Sequence, residues 1–302
     1  LVIIDISNPK SPIQVGRYVT TGYAYGVYVQ GSYAYVVDER YGLVSYVLVI
    51  IDISNPKSPI QVGRYDTAGY ARRVHIQGNY AYVADYENGL VIIDVSNPKS
   101  PTQVGRYDTA GSARRVRIQW NYAYVADYNN GLVIIDISNP KSPIQVGRYD
   151  TAGSALDVYI QGNYAYVADY NNGLVIIDIS NPKSPTQVGR YDTAGDAVGV
   201  YIQDNYAYVA DYNNGLVIID ISNPKNPIQV GRCDTAGYAR GVYVQGNYAY
   251  VADEANGLVI INISAFSQST TGKVDVGPAM KIKVNGNYAY VINSGLSIFD
   301  VS

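Results

Sequence analysis

The chain has 302 residues, a formal net charge of −3 and 16% charged side chains, so no overall basic balance marks it for nucleic acid or a membrane surface. Its longest apolar runs fall well short of the roughly 20 residues that a membrane-spanning helix needs. The single cysteine, Cys233, excludes an intrachain disulfide, and a soluble chain with no membrane insertion and no nucleic-acid partner is expected.

From the first residue, "LVIID" is a continuous apolar run, as expected of a strand buried on both faces. "NPKSP" breaks it, because proline cannot continue a central ladder. "QVGRY" follows, with Gly and Arg in mid-strand that suit an outer edge resisting pairing with other chains. An alternating segment from Ala24 comes next, then a tight turn, then the Tyr-rich, β-branched "YAYVVD". An insertion, "LVSYV" from Leu43 to Val47, precedes the next apolar run; it is read as a contact loop or a scar of unequal duplication.

The same order of pieces then recurs. "LVIID" or a close variant begins at Leu1, Leu48, Leu90, Leu132, Leu174, Leu216, Leu258 and Leu296, at spacings of 47, then 42 five times, then 38. A period near 40 to 45 with several short strands per unit is the signature of propeller blades, because each small sheet has two apolar faces that only neighbouring sheets cover. Innermost strands beginning near Ala24, Ala71, Ala113, Ala155, Ala197, Ala239 and Ala279 predict one all-β domain over 1–302. It is a seven-bladed β-propeller of four-stranded antiparallel blades, closed by pairing of the N- and C-terminal strands. Leu1 to Ser7 and Leu296 to Ser302 compete for one slot, so one end frays or pairs with another molecule, giving a monomer or a strand-exchanged oligomer. A ring of eight blades completed by further sequence is the alternative.

"LVIIDISNPKSP" followed by "YAYVAD" and "GLVIIDIS" resembles the LVIVD-repeat family over essentially the whole chain. The resemblance implies a β-propeller, and it implies a location outside the cell or at its surface, since such repeats occur mainly in bacterial and archaeal proteins of that kind. The chain itself begins inside a motif, without initiator Met or signal peptide, and reads as an excerpt. No shared reaction comes with the family, and fold alone does not fix function.

Chemistry is sparse. His75 is the only histidine, which excludes a histidine metal cluster; within a strand it reads as a packed or axis-lining residue. The carboxylates come in repeated sets: Asp85, Asp127, Asp169, Asp211 and Asp253 close "YAYVAD", Asp52, Asp94, Asp136, Asp178 and Asp220 close "LVIID", and Asp66, Asp108, Asp150, Asp192 and Asp234 open "DTAG". Such repetition suits turn capping. No spacing forces a Ca²⁺ ring, and sevenfold sameness argues against an active site, which needs groups in different environments. No enzyme, metal or cofactor is expected. Repeated Tyr such as Tyr80, Tyr82, Tyr122 and Tyr124 suit interblade packing, or, with Asp and Asn, several equal glycan pockets.

The copies disagree in one place. After "DTAG" they read "YARRVHIQ", "SARRVRIQ", "SALDVYIQ", "DAVGVYIQ" and "YARGVYVQ". Ala and Val are fixed and the residues around them change, on the face of the ring that also carries the "DYNNG" turns. That face holds one mouth of the central channel, the usual place for a propeller to bind. The candidate partner-binding residues are therefore Arg72, Arg73, His75, Arg114, Arg115, Arg117, Asp157, Tyr159, Asp196, Tyr201, Arg240 and Tyr243. Arg72, Arg73, Arg114, Arg115 and Arg117 form a basic sector suited to a protein or other anionic partner, with Asp157 and Asp196 on the next two blades. Arg115 and Asp157 also suit a simple pair with each other. An interaction module is expected, with a multivalent glycan binder or a scaffold without a dedicated ligand as alternatives.

Overall fold

A computed structural model of the chain describes residues 1–20, 22–40, 46–264 and 269–293. They form seven four-stranded antiparallel sheets. Blade 3 is typical: its strands are Arg115–Gln119, Tyr122–Ala126, Leu132–Asp136 and Ile144–Tyr149, each paired with the next. The inner strand of every blade touches those of the blades before and after it, and blade 7 touches blade 1, so the sheets close a ring. Blades are numbered here from Gly22, and the described residues close a ring of seven.

Burial explains the strand types. In blade 3 both faces of Leu132, Val133, Ile134 and Ile135 are wholly buried, because seven apolar clusters lie between blades rather than within them. One such cluster joins Tyr124, Ala126 and Ile134 of blade 3 to Val158, Val167 and Val175 of blade 4. At about 25 cal/mol per Å² of apolar surface removed from water, these seams are the main source of stability.

Closure uses the first strand. Val2–Asp5 pairs antiparallel with Tyr288–Asn293, with Val2 opposite Val291, and Ile13–Arg17 completes the sheet. The competing run Leu296 to Ser302 lies outside the described residues. Tyr46 and Val47, the end of the insertion, prolong the third strand of blade 1 and are buried. Tyr46 packs edge-on against Tyr70 with ring centroids 4.8 Å apart; this part is core, not an exposed contact loop.

The mid-strand glycines have a different role from the one expected. A Cβ on Gly63 would stand 1.8 Å from the carbonyl oxygen of Pro98 in the next blade, and Gly16, Gly105, Gly147, Gly189 and Gly272 meet the corresponding proline carbonyl of their own neighbour. Glycine is there because the "NPKSP" turn of one blade rests on the outer strand of the previous one. A β-bulge beside each, as between Ile134 and Ile135 opposite Gln145 and Gly147, bends the strand at that contact.

Candidate functional site

The seven inner strands line a channel, and the positions that vary between repeats occupy it at three depths. Asp196 and Tyr70 line neither channel cavity, Tyr70 packing instead on Tyr46 and Tyr86; Tyr25, Arg72, Arg114, Leu156, Val198, Arg240 and Met280 form a mouth level around a cavity of ≈ 280 Å³. Arg73 and Lys281 line that cavity and also a second one of ≈ 230 Å³ beneath it, and so form the neck between them. The expected single mouth is thus corrected: Arg73, Arg115 and Asp157 sit at the neck, and Arg117, Tyr159, Tyr201 and Tyr243 line the lower chamber. His75 is at the same level, its ring 4.8 Å from that of Tyr28. Alternation along a strand places residues two apart on one face, so 73 and 75 in blade 2, or 115 and 117 in blade 3, both reach the axis.

At the mouth the arginines are held by rings. The Arg72 guanidinium lies over Tyr25 at 4.6 Å and Tyr86 at 5.3 Å. Arg114 lies 4.7 Å from both Tyr86 and Tyr128, and Arg240 lies 4.5 Å from Tyr212. Cation–π contact fixes these planes, and the Nε atoms of Arg72 and Arg114 are buried without a hydrogen-bond partner. Tyr25 lies in the inner strand of blade 1, and the other rings come from the turns after "YAYVA", where Tyr86, Tyr128, Tyr170 and Tyr212 adopt left-handed backbone with φ between 44° and 51°. Tyr86 exchanges backbone hydrogen bonds with Ala113 of the next blade, N to O at 3.2 Å and back at 2.9 Å. That bridge, with Ala113 fully buried, explains why Ala stays constant between changing neighbours.

Two carboxylates sit at the mouth. Glu254 accepts from Arg240 Nε at 2.7 Å, and Glu39 accepts from the Tyr25 hydroxyl at 2.8 Å. Asp196 accepts from the Tyr170 hydroxyl, which raises the pKa of that phenol.

At the neck the Arg115 Nε stands 3.1 Å from Asp157 Oδ1. Burial alone pushes the Asp157 carboxyl up, but Arg115, Lys281, Arg117 and Arg73 outweigh it and hold the pKa below its ordinary value. Arg73 Nη1 donates to the backbone carbonyls of Arg72 and Tyr25. Lys281 Nζ donates to the carbonyl of Arg240 at 2.5 Å. Small residues make room for these long side chains: a Cβ on Gly241 would come within 3.0 Å of Lys281 Cδ. Below the neck, Arg117 Nε donates to Val158 O at 3.2 Å and its guanidinium lies 5.0 Å from the Tyr159 ring. Lys283 Nζ hangs between the rings of Tyr28 and Tyr243, at 5.4 and 4.7 Å.

Burial first, and then neighbouring positive charge, lowers the pKa of His75, Lys281 and Lys283. Arg117, Arg115 and Lys283 help keep His75 neutral, with its pKa well below the histidine value and its Nδ1 unpartnered. Burial, Arg117 and Arg115 bring Lys283 down to about 8. Lys281 is pushed well below the lysine range by burial and Arg73, against the opposing pull of Asp157.

The repeated aspartates are structural. Asp127, wholly buried, accepts from Thr109 Oγ1 at 2.6 Å and Asn130 Nδ2 at 2.9 Å. Asp136 accepts from Ser138 N at 2.8 Å, and Asp108 from Ala110 N at 2.9 Å. The "YAYVAD" aspartates are thus committed to buried turn contacts, whereas Asp108 and Asp136 cap turns at the surface. Among the described residues no three His, Cys, Asp or Glu side chains come together to hold a metal.

The LVIVD repeat matches residues 1–20, 21–67, 68–109, 110–151, 152–193, 194–235, 236–271 and 276–302. The chain belongs to the LVIVD-repeat family. In this LVIVD-repeat propeller the described residues of the first and last matched segments are the two parts of blade 7. No curated protein matches it. A solved structure of similar fold is that of the computationally designed Ika8 protein, with a TM-score of 0.69 at 6% identity, covering 90% of this chain and 81% of that one. At that identity the likeness concerns the fold.

Lys281, Lys283, Tyr25 and Tyr28 escaped the sequence reading. The signal was present, because aligning "AMKIKV" on Ala279 puts Lys281 and Lys283 at the levels of Arg73 and His75, and aligning "AYGVYV" on Ala24 puts Tyr25 and Tyr28 at the levels of Arg72 and His75.

Proposed function

We propose that this LVIVD-repeat propeller is a non-enzymatic interaction module that holds a protein or other anionic partner at the channel mouth. Propeller repeats serve protein interaction widely, and the single observation that carries the finer reading is the asymmetry of charge on a symmetric frame. Arg72, Arg114 and Arg240 sit at the mouth with Arg73 and Lys281 in its floor, against Glu39 and Glu254. Ring contacts hold the mouth arginines, so their planar forks meet a carboxylate or phosphate with little further loss of side-chain freedom. The proposal places the module at the cell surface or outside the cell, which rests on the family alone.

The test compares the chain with a variant carrying Arg72→Ser, Arg114→Ser and Arg240→Ser. Both are used to capture proteins from envelope and secreted fractions, and captured partners are then titrated individually. A purified partner that binds the original and loses about tenfold or more on the variant supports the proposal. Partners that bind both forms equally contradict it.

A further inference from the structure

The lower chamber lies beneath the proposed mouth and answers to different chemistry. Its ≈ 230 Å³ is lined by Arg73, Arg115, Arg117, Lys281 and Lys283 together with tyrosines, and no side chain lining it is a carboxylate. The nearest acid is Asp157, already engaged with Arg115 at 3.1 Å. Five basic side chains therefore gather around one carboxylate in a space walled by protein. Charge gathered in this way, away from bulk water, carries a large desolvation and repulsion cost unless a counter-charge joins it.

The donors are arranged all round that space. Arg73 comes from blade 2, Arg115 and Arg117 from blade 3, Lys281 and Lys283 from blade 7. The hydroxyl-bearing rings of Tyr159, Tyr201 and Tyr243 supply blades 4, 5 and 6, with ring centroids 4.9 and 4.7 Å apart in succession. A planar carboxylate presents acceptors along one edge only, whereas donors converging from six blades suit an anion with oxygens on every side. With one carboxylate among five basic groups, a dianion offsets more of the positive charge than a monoanion does. The volume exceeds that of several waters at about 30 Å³ each, enough for one such ion with part of its hydration shell.

We propose that the lower chamber binds one tetrahedral dianion of the phosphate or sulfate class, as a free ion or as a group carried on a partner that enters through the neck between Arg73 and Lys281. The inference rests on the chamber and not on the mouth reading, so either stands if the other fails.

Two consequences separate it from loose ion attraction. Uptake of a dianion favours the charged form of Lys283, which faces Arg115, Arg117, His75, Tyr28 and Tyr243, and of Lys281, which faces Arg73, Arg115, Asp157 and Arg240. Binding near pH 8 therefore takes up protons, because Lys283 has a pKa of about 8 in the empty chamber. Removing Lys283 or Arg117 relieves repulsion and leaves the Arg115–Asp157 pair intact, so these two variants are expected to fold about as stably as the original.

The experiment is calorimetric titration of the full chain with inorganic phosphate at fixed ionic strength in sodium chloride, repeated at pH 8 in two buffers of different ionisation enthalpy. The expected result is one phosphate per chain, with a heat that differs between buffers in the sense of proton uptake. Lys283→Gln and Arg117→Gln, each shown to melt no lower than the original, lose affinity by about tenfold or more. The mouth variant Arg72→Ser, Arg114→Ser, Arg240→Ser keeps it. A phosphoserine peptide that binds more tightly than phosphate and competes with it identifies a carried group; phosphate binding more tightly identifies a free ion. No heat beyond that of chloride, or chamber variants that bind phosphate as tightly as the original, overturns the proposal.

Discussion

The Arg115 guanidinium and the Asp157 carboxylate meet across the boundary of blades 3 and 4, Nε to Oδ1 at 3.1 Å, and both are mostly buried. Asp157 is the acid on which the fields of Arg73, Arg115, Arg117 and Lys281 converge. Replacing it by Asn leaves those cations without their counter-charge, and the expected cost is roughly 2–4 kcal/mol, reduced by water in the channel. Urea unfolding of Asp157→Asn checks this, and the double variant Arg115→Met, Asp157→Leu is expected to lose less than Asp157→Asn alone. The folded pKa of Asp157 is depressed, so its contribution is present above the ordinary carboxylate value near 4 and is lost as the pH falls through the folded one.

The contact of Gly63 with the Pro98 carbonyl gives a second expectation. Gly63→Ala sets a Cβ 1.8 Å from that oxygen, so two blades must separate, at a cost above about 3 kcal/mol or with loss of folding. Gly162→Ala is the control: its φ is +58° and a Cβ there meets nothing within 4 Å. Only the conformational cost of about 1 kcal/mol is expected. Melting curves that fall equally for the two variants would remove the close-contact account of the outer-strand glycines.

Trp120 occupies the turn where sister repeats have Gly78, Gly162 and Gly246, with φ 53° and 69% of its surface exposed. The side chain gains little from packing while the backbone is strained. Trp120→Gly is expected to stabilise the chain by about 1 kcal/mol, whereas Trp120→Ala, still strained, gains little. The Gln77 side chain donates to the carbonyl of this residue at 3.1 Å, and that bond survives either change.

Asp127 tests the electrostatics of the blade turns. Burial raises its pKa to about 6, against the hydrogen bonds from Thr109 and Asn130. A raised carboxyl pKa means that stability associated with the protonated group is full below about 4 and is lost as pH rises through about 6. Asp127→Asn abolishes that titration. Its stability relative to the original is therefore expected to improve by about 2 kcal/mol between pH 4 and pH 7.5, with most of the change between pH 4 and 6. A difference in unfolding free energy that stays flat over that range would contradict it.

Much of the fold follows from periodicity alone. The constant spacing from Leu48 to Leu258, the unbroken "LVIID" runs and the fixed Ala at the head of each inner strand lead to seven blades, because each of these marks a local property of one strand. The choice of Leu1 over Leu296 for the last slot does not follow, since the two segments offer similar ladders. Nor does the role of Gly63, whose partner Pro98 lies in another blade. At the site, comparison among the copies found Arg72, Arg115 and Asp157 but passed over Tyr86 and Tyr128, which lie in a constant turn and still hold the mouth arginines. Variation at the axis also has a steric component. Tyr159, Tyr201 and Tyr243 already touch in succession, with centroids under 5 Å apart, and seven copies of an arginine at the level of Arg73 and Arg115 would crowd one neck. Sevenfold symmetry is easiest to break where the seven copies converge, and this is the place where charge has gathered.

The most direct test of that gathered charge as a ligand site is a crystal structure of the full chain soaked in selenate, a tetrahedral dianion located by its anomalous scattering. The account predicts one strong peak per chain on the channel axis, within hydrogen-bonding reach of Arg115, Arg117 and Lys283. An axis without a peak, or weak peaks scattered over the exposed Lys57, Lys99 and Lys141 of the "NPKSP" turns, would contradict it.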